Sequence, residues 1–140
     1  MRLQAPGNAI ENFSPITDED ERIAAAIVDA ALAVHRQLGP GLLESVYEVC
    51  FCHELRKRRV ETERQVIVPI IYDGLRFDEG FRIDVLAAGQ VICEIKAVVE
   101  LHPVCQAQLL TYLKLTNRRL GFLINFNVPP IKDGIQRLVR

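Results

Sequence analysis

Three residues in the stretch from Phe81 to Lys96, FRIDVLAAGQVICEIK, have types and a spacing suited to chemistry: Asp84, Glu94 and Lys96. The stretch reads as two short strands joined at Ala88-Gly89, and side chains alternate faces along a strand. In the first strand Ile83 and Val85 are expected to point one way and Asp84 the other. In the second, Val91, Cys93 and Ile95 share one face, and Ile92, Glu94 and Lys96 share the opposite one. Two acids and a lysine thus fall in strands that are otherwise almost wholly apolar, where an uncompensated charge is costly. Two readings account for them: the charges pair as a structural ion pair, or the carboxylates hold a metal ion with the lysine beside it.

Helices and further strands must position these groups. Thr17 is a fitting N-cap followed by acids, and Ile23, Ile27, Ala30, Val34 and Leu38 recur at helical spacing until Gly39-Pro40-Gly41. A second helix is expected from about Leu42 to Arg58. On its wheel Leu43, Val46, Tyr47, Cys50, Phe51 and Leu55 form an apolar arc. Glu44 falls inside that arc between Phe51 and Leu55, with Glu48 at its edge. Glu44 either belongs to a site or reaches a backbone N–H of the glycine-rich turn. Tyr47 is expected to pack with its hydroxyl hydrogen-bonded.

Val66–Ile71 reads as a strand with Pro69 marking an edge or a bulge, and Asp73-Gly74 as a hairpin turn. Arg76–Ala87, interrupted near Gly80, and Gln90–Val98 follow as strands. Pro103 then opens a helix to about Leu115, on which Gln108 and Tyr112 share a face. Gly121–Phe126 is a fourth strand, and Gly134–Arg140 a fifth or a closing turn. The order α-α-β-β-β-α-β implies a mixed α/β (α+β) fold, a central mixed β-sheet flanked by helices. Residues 1–16 read as a loose N-terminal arm and 17–140 as one domain.

With 140 residues, 49% hydrophobic and 25% charged, the composition is that of a globular domain. A membrane span needs a run of roughly 18 apolar residues, which is lacking, and residues 1–14 do not resemble a signal peptide. The four cysteines read as reduced thiols in a cytoplasmic protein; a zinc site at Cys50, Cys52 and His53 suffers from neighbouring helical residues pointing in different directions. A net charge of −1 lacks the basic footprint of a protein that grips long duplexes. The Arg56–Arg59 cluster reads as a helix end, where cations favour the macrodipole. His35 and His102 read as a structural histidine and a helix starter.

Asp84 followed by Glu94-Ile95-Lys96 matches the D…(D/E)-x-K signature. Gly41-Leu42-Leu43-Glu44-Ser45-Val46-Tyr47 spells G-x-x-E-x-x-Y, and Gln108–Tyr112 and GFLINF follow. Together these resemble the bacterial GxxExxY protein family, a branch of the PD-(D/E)XK nuclease superfamily, over roughly Asp20 to Arg140. The resemblance implies a restriction-endonuclease-like core and a Mg²⁺- or Mn²⁺-dependent nuclease acting on nucleic acid, DNA before RNA. Asp84, Glu94, the Ile95 carbonyl and Glu44 would hold the metal. Lys96 would orient water or neutralise developing charge. Gln108 and Tyr112 resemble the Q-x-x-x-Y helix of the recombination-exonuclease branch and would position the metal shell or a DNA end; equally, they tie the helix to the sheet. The alternative is a non-catalytic interaction module that works with a protein partner. A homodimer would cover the Pro69 edge strand.

Overall fold

The computed structural model describes residues 14–140, so the expected N-terminal arm lies outside the described residues except for its last three. Helix α1 (Asp18–Leu38) begins with a reciprocal capping box. Thr17 Oγ1 accepts from the Asp20 N–H and the Asp20 carboxylate accepts from the Thr17 N–H, both at 3.0 Å. Its stripe Ile23, Ile27, Ala30 and Val34 is buried, and Gly39 ends it with a left-handed φ of 68°.

Helix α2 (Glu44–Lys57) has a different buried face from the one its apolar residues suggest. Tyr47, Glu48, Phe51, Cys52 and Leu55 face inward, whereas Leu43, Val46 and Glu44 are exposed. The physical reason lies in Tyr47. Its hydroxyl donates to the Gly39 carbonyl at 2.6 Å and accepts from the Leu42 N–H at 3.0 Å, and its ring stacks on Phe126 at 4.8 Å. This clamp sets the rotation of the helix about the glycine turn, against the pull of Leu43 and Val46.

Strands β1 (Thr62–Tyr72), β2 (Leu75–Ala87), β3 (Val91–Lys96), β4 (Leu120–Asn125) and β5 (Ile135–Val139) form one sheet in that order. All neighbours are antiparallel except β3 and β4, whose parallel pairing requires a crossover, supplied by α3 (Val104–Leu115). Asp73 and Gly74, both at positive φ, make the tight turn between β1 and β2. The register shifts between Val68 and Ile70, so Pro69 stands on an edge strand and at a bulge, as its lack of an N–H predicts. Gly80 sits under this bulge, where a Cβ would lie 2.3 Å from Ile70 Cγ1. The closing segment holds both a 3₁₀ turn, Ile131–Gly134, and the fifth strand.

The sheet is packed on both faces. Against α1 and α2 lie Val85, Cys93, Ile95, Phe122 and Ile124; against α3 lie Ile83, Leu86, Ile92 and Leu123, with Leu109 and Leu113. Cys93 and Ile95 share a face and Ile92 takes the other, as alternation predicts. The same rule fails in β2: Ile83 joins the α3 side and Val85 the α1/α2 side. Pairing explains this. β2 meets β3 only from Val85 to Ala87, and its ladder with β1 omits the rung between Gln65 and Asp84. Regular pleating therefore breaks at Asp84. The result is a mixed α/β fold, a five-stranded mixed sheet flanked by helices, consistent with a restriction-endonuclease-like core.

Candidate functional site

Beyond Val85↔Cys93 the backbones of β2 and β3 stop pairing, and two carboxylates take over their N–H groups. The Ile95 N–H donates to Asp84 Oδ2 at 2.9 Å, and the Asp84 N–H donates to Glu94 Oε1 at 3.3 Å. Glu94 is buried and Asp84 half-buried. Burial first, and then the neighbouring Asp84 charge, push the Glu94 carboxyl from 4.5 up to about 9, against the pull of Lys96. At neutral pH Glu94 therefore keeps its proton while Asp84 stands beside it.

Lys96 ends β3 on the Glu94 side and is half-buried. Its backbone is pinned: the Phe126 N–H donates to its carbonyl at 2.9 Å. The loop beyond is held by buried Asn125, whose amide accepts from the Val98 N–H at 3.1 Å and donates to the Val98 carbonyl at 2.9 Å. Because Phe126 also stacks on Tyr47, the Lys96 backbone, the end of β4 and the glycine turn before α2 form one connected unit.

That unit places Glu44. Although exposed, Glu44 accepts a backbone hydrogen bond from Ala97 and lies within reach of the charges of Lys96, Asp84 and Glu48. Partial desolvation and the two acids raise its pKa, while Lys96 and the Ala97 N–H oppose the shift. Glu44 thus stands at the mouth of the acid cluster and not, as its helical wheel suggests, between Phe51 and Leu55.

From the other face of the sheet, α3 brings Tyr112. Its ring stacks on Phe81 with centroids 4.2 Å apart, and its phenol is hydrogen-bonded to Gln108. Burial, followed by the charges of Glu94 and Asp84, raises the phenol pKa. Gly121 permits this approach of α3, since a Cβ there would meet Leu109 Cδ1 at 3.0 Å. Asp84, Glu94, Lys96, Glu44 and the Gln108–Tyr112 pair are therefore brought together from β2, β3, α2 and α3. Ile95 contributes only its backbone, its side chain being core.

Other candidates lie apart. His35 Nε2 is 2.7 Å from the Val128 carbonyl, and His102 Nδ1 accepts from the Val104 N–H at 3.0 Å, capping α3; both are structural. Cys50, Cys52, Cys93 and Cys105 are free thiols. Three polar groups near the acids escape a reading of the pattern. Buried Glu48 accepts from Arg64 at 2.8 Å and from Gln65 Nε2 at 2.7 Å, and the same Gln65 nitrogen lies 3.5 Å from Asp84 Oδ1. Position at the edge of the helical arc was the one signal for Glu48; Gln65, just before the expected strand Val66–Ile71, offers none.

Oxygen donors from Asp84, Glu94 and Glu44 suit a hard divalent cation, and two carboxylates forced together with one kept protonated are a site that such a charge would relieve. Asp84 and Glu94 are turned onto backbone N–H groups. Among the described residues no three His, Cys, Asp or Glu side chains surround a common ion position. The donor chemistry fits an ion, and holding one requires those two carboxylates to turn. Also among the described residues, no helix is long and apolar enough to cross a membrane.

No curated protein and no solved structure was found to match this chain. A family model of the PD-(D/E)XK nuclease superfamily matches residues 21–138, a span that holds all but the ends of α1 and β5 and includes Glu44, Asp84, Glu94 and Lys96. The acid fork on a five-stranded mixed sheet thus sits in a chain that belongs to the PD-(D/E)XK nuclease superfamily.

Proposed function

We propose that this protein is a GxxExxY-type member of the superfamily and a Mg²⁺- or Mn²⁺-dependent nuclease that hydrolyses phosphodiester bonds of DNA or RNA. The observation that carries this reading is the fork itself. Asp84 and Glu94 accept from backbone N–H groups where the β2–β3 ladder stops, and burial beside Asp84 holds the Glu94 carboxyl well above its ordinary range, a cost that a bound cation would relieve. Asp84, Glu94 and the Ile95 carbonyl would hold the ion, with Glu44 at the open side. When bound, the ion supplies neutralisation of the leaving oxygen and a water acidic enough to attack at neutral pH. Lys96, on the Glu94 face, orients the attacking water or takes up negative charge developing on the phosphate. Gln108 and Tyr112 hold the α3 side of the acids in place. The GxxExxY residues act through shape: Tyr47 clamps the turn that delivers Glu44.

The four free thiols suit a reducing, cytoplasmic setting. The exposed Ile67 and Ile71 on edge strand β1 suit a homodimer that would cover that edge. The test is incubation of the protein with labelled single- and double-stranded DNA and RNA, with Mg²⁺, Mn²⁺ or chelator. Metal-dependent cleavage is expected. Metal binding without cleavage of any of the four substrates would overturn the nuclease reading in favour of a non-catalytic interaction module.

A further inference from the structure

We infer that Gln65 is a positioning residue for Asp84, carrying the placement of α2 to the acid through Glu48. This rests on the reading of Asp84 and Glu94 as a metal-holding pair. The first observation is conformational. Gln65 lies within β1, yet its φ is 54°, a left-handed value that non-glycine residues rarely adopt in a strand. It occurs at the one rung, Gln65 opposite Asp84, that the β1–β2 ladder omits between Arg64↔Val85 and Val66↔Ile83. The second is chemical. Gln65 Nε2 donates to Glu48 Oε1 at 2.7 Å and stands 3.5 Å from Asp84 Oδ1, so one amide lies between two carboxylates. Its orientation is dictated: turned over, the amide oxygen would face both acids.

A simple strut for Glu48 would not need this arrangement. Arg64 already meets the other Glu48 oxygen at 2.8 Å and supplies the opposite charge. What Gln65 adds is a second N–H aimed at Asp84, whose remaining oxygen is held by Ile95. Asp84 is thereby addressed from β1 and β3 at once. Groups that orient a metal ligand commonly matter nearly as much as the ligand.

Two substitutions separate positioning from support. Gln65→Asn keeps an amide and suits a left-handed backbone, but its shorter arm cannot span Glu48 and Asp84. Arg64→Leu breaks the Glu48 ion pair and leaves Gln65 whole. Mn²⁺ affinity is measured by calorimetry, and melting temperature in chelator. Gln65→Asn is expected to weaken Mn²⁺ binding by about tenfold or more, with its chelator melt no lower than wild type. Arg64→Leu is expected to lower the melt while Mn²⁺ affinity stays within about twofold. A lowered melt with unmoved affinity in Gln65→Asn would make the residue a strut and overturn the inference. Failure of the wild-type protein to take up Mn²⁺ would sink the metal reading first, and this inference with it.

Discussion

At one end of the β2–β3 pair, Val85↔Cys93, Leu86↔Ile92 and Ala87↔Val91 are joined by backbone bonds between side chains buried on both faces of the sheet. Immediately beyond, Asp84 and Glu94 part the strands and spend their carboxylates on backbone N–H groups. The first region gains from every residue it buries. The second gathers Asp84, Glu94, Glu44 and Lys96 at some cost in stability, and burial there raises Glu94 towards neutrality instead of adding to the core. Stability and chemistry are thus separated by one rung, and each should respond to substitution without much disturbing the other.

The largest effect should come from the closed end. Ile92 is fully buried and packs with Leu109 and Leu113 of α3, so Ile92→Ala should cost about 2–5 kcal/mol in denaturant unfolding. Mn²⁺ affinity of the folded protein should stay near that of wild type. A large loss of affinity would show that the two regions are not independent.

Next, Lys96→Met keeps the aliphatic stem and removes the charge. It should lower kcat by about 10²-fold, the effect of losing one transition-state donor, with Mn²⁺ affinity kept or improved. Unchanged kcat would leave Lys96 as an ion-pair partner.

A smaller effect is expected from Glu94→Gln in chelator. Glu94 binds its proton more tightly folded, at about 9, than unfolded, at 4.5. Its contribution is therefore whole below pH 4.5 and is lost as pH rises through the window to about 9. Wild-type stability should fall across that window, and the variant should be flatter. By pH 8 the variant should be the more stable by more than ~1.4 kcal/mol, one tenfold step in the folding equilibrium. Parallel pH profiles would mean that the fork stores no electrostatic cost.

Much of this was legible in the residues. Alternation in β3 assigns Cys93 and Ile95 to one face and Ile92 to the other because that strand is paired with β4 throughout its length. Thr17, Asp73-Gly74 and Pro69 could be read because each acts on backbone within a few residues of itself. The misreadings occur where a distant contact overrides the local pattern. Ile83 and Val85 take opposite faces because a rung is missing at Asp84, and that gap depends on Gln65 in another strand. The rotation of α2 is set by Tyr47 bonding to Gly39 and stacking on Phe126, far along the chain, so a wheel drawn from α2 alone buries Glu44 in place of Glu48.

That exchange of two glutamates yields the smallest and most discriminating effect. Glu44 and Glu48 lie one turn apart on α2, one exposed and one buried against Arg64 and Gln65. Partial desolvation of Glu44, together with repulsion from Asp84 and Glu48, outweighs attraction from Lys96 and the Ala97 N–H and raises its pKa. A raised carboxylate contributes stability at low pH and loses it as pH rises, so at neutral pH its charge is a net cost to the metal-free fold. Water screens most of that cost at an exposed position. Glu44→Gln should therefore stabilise the protein in chelator by only ~0.2–0.5 kcal/mol at pH 7, and the gain should vanish once both states are protonated near pH 3. In saturating Mg²⁺ the sign should reverse, because a carboxylate at the mouth of the fork then meets positive charge. Thermal melts of wild type and variant in chelator and in Mg²⁺ check both signs. A lower melt in both conditions would mean that the Ala97 contact outweighs the repulsion, which would confine the charge-gathering region to Asp84, Glu94 and Lys96.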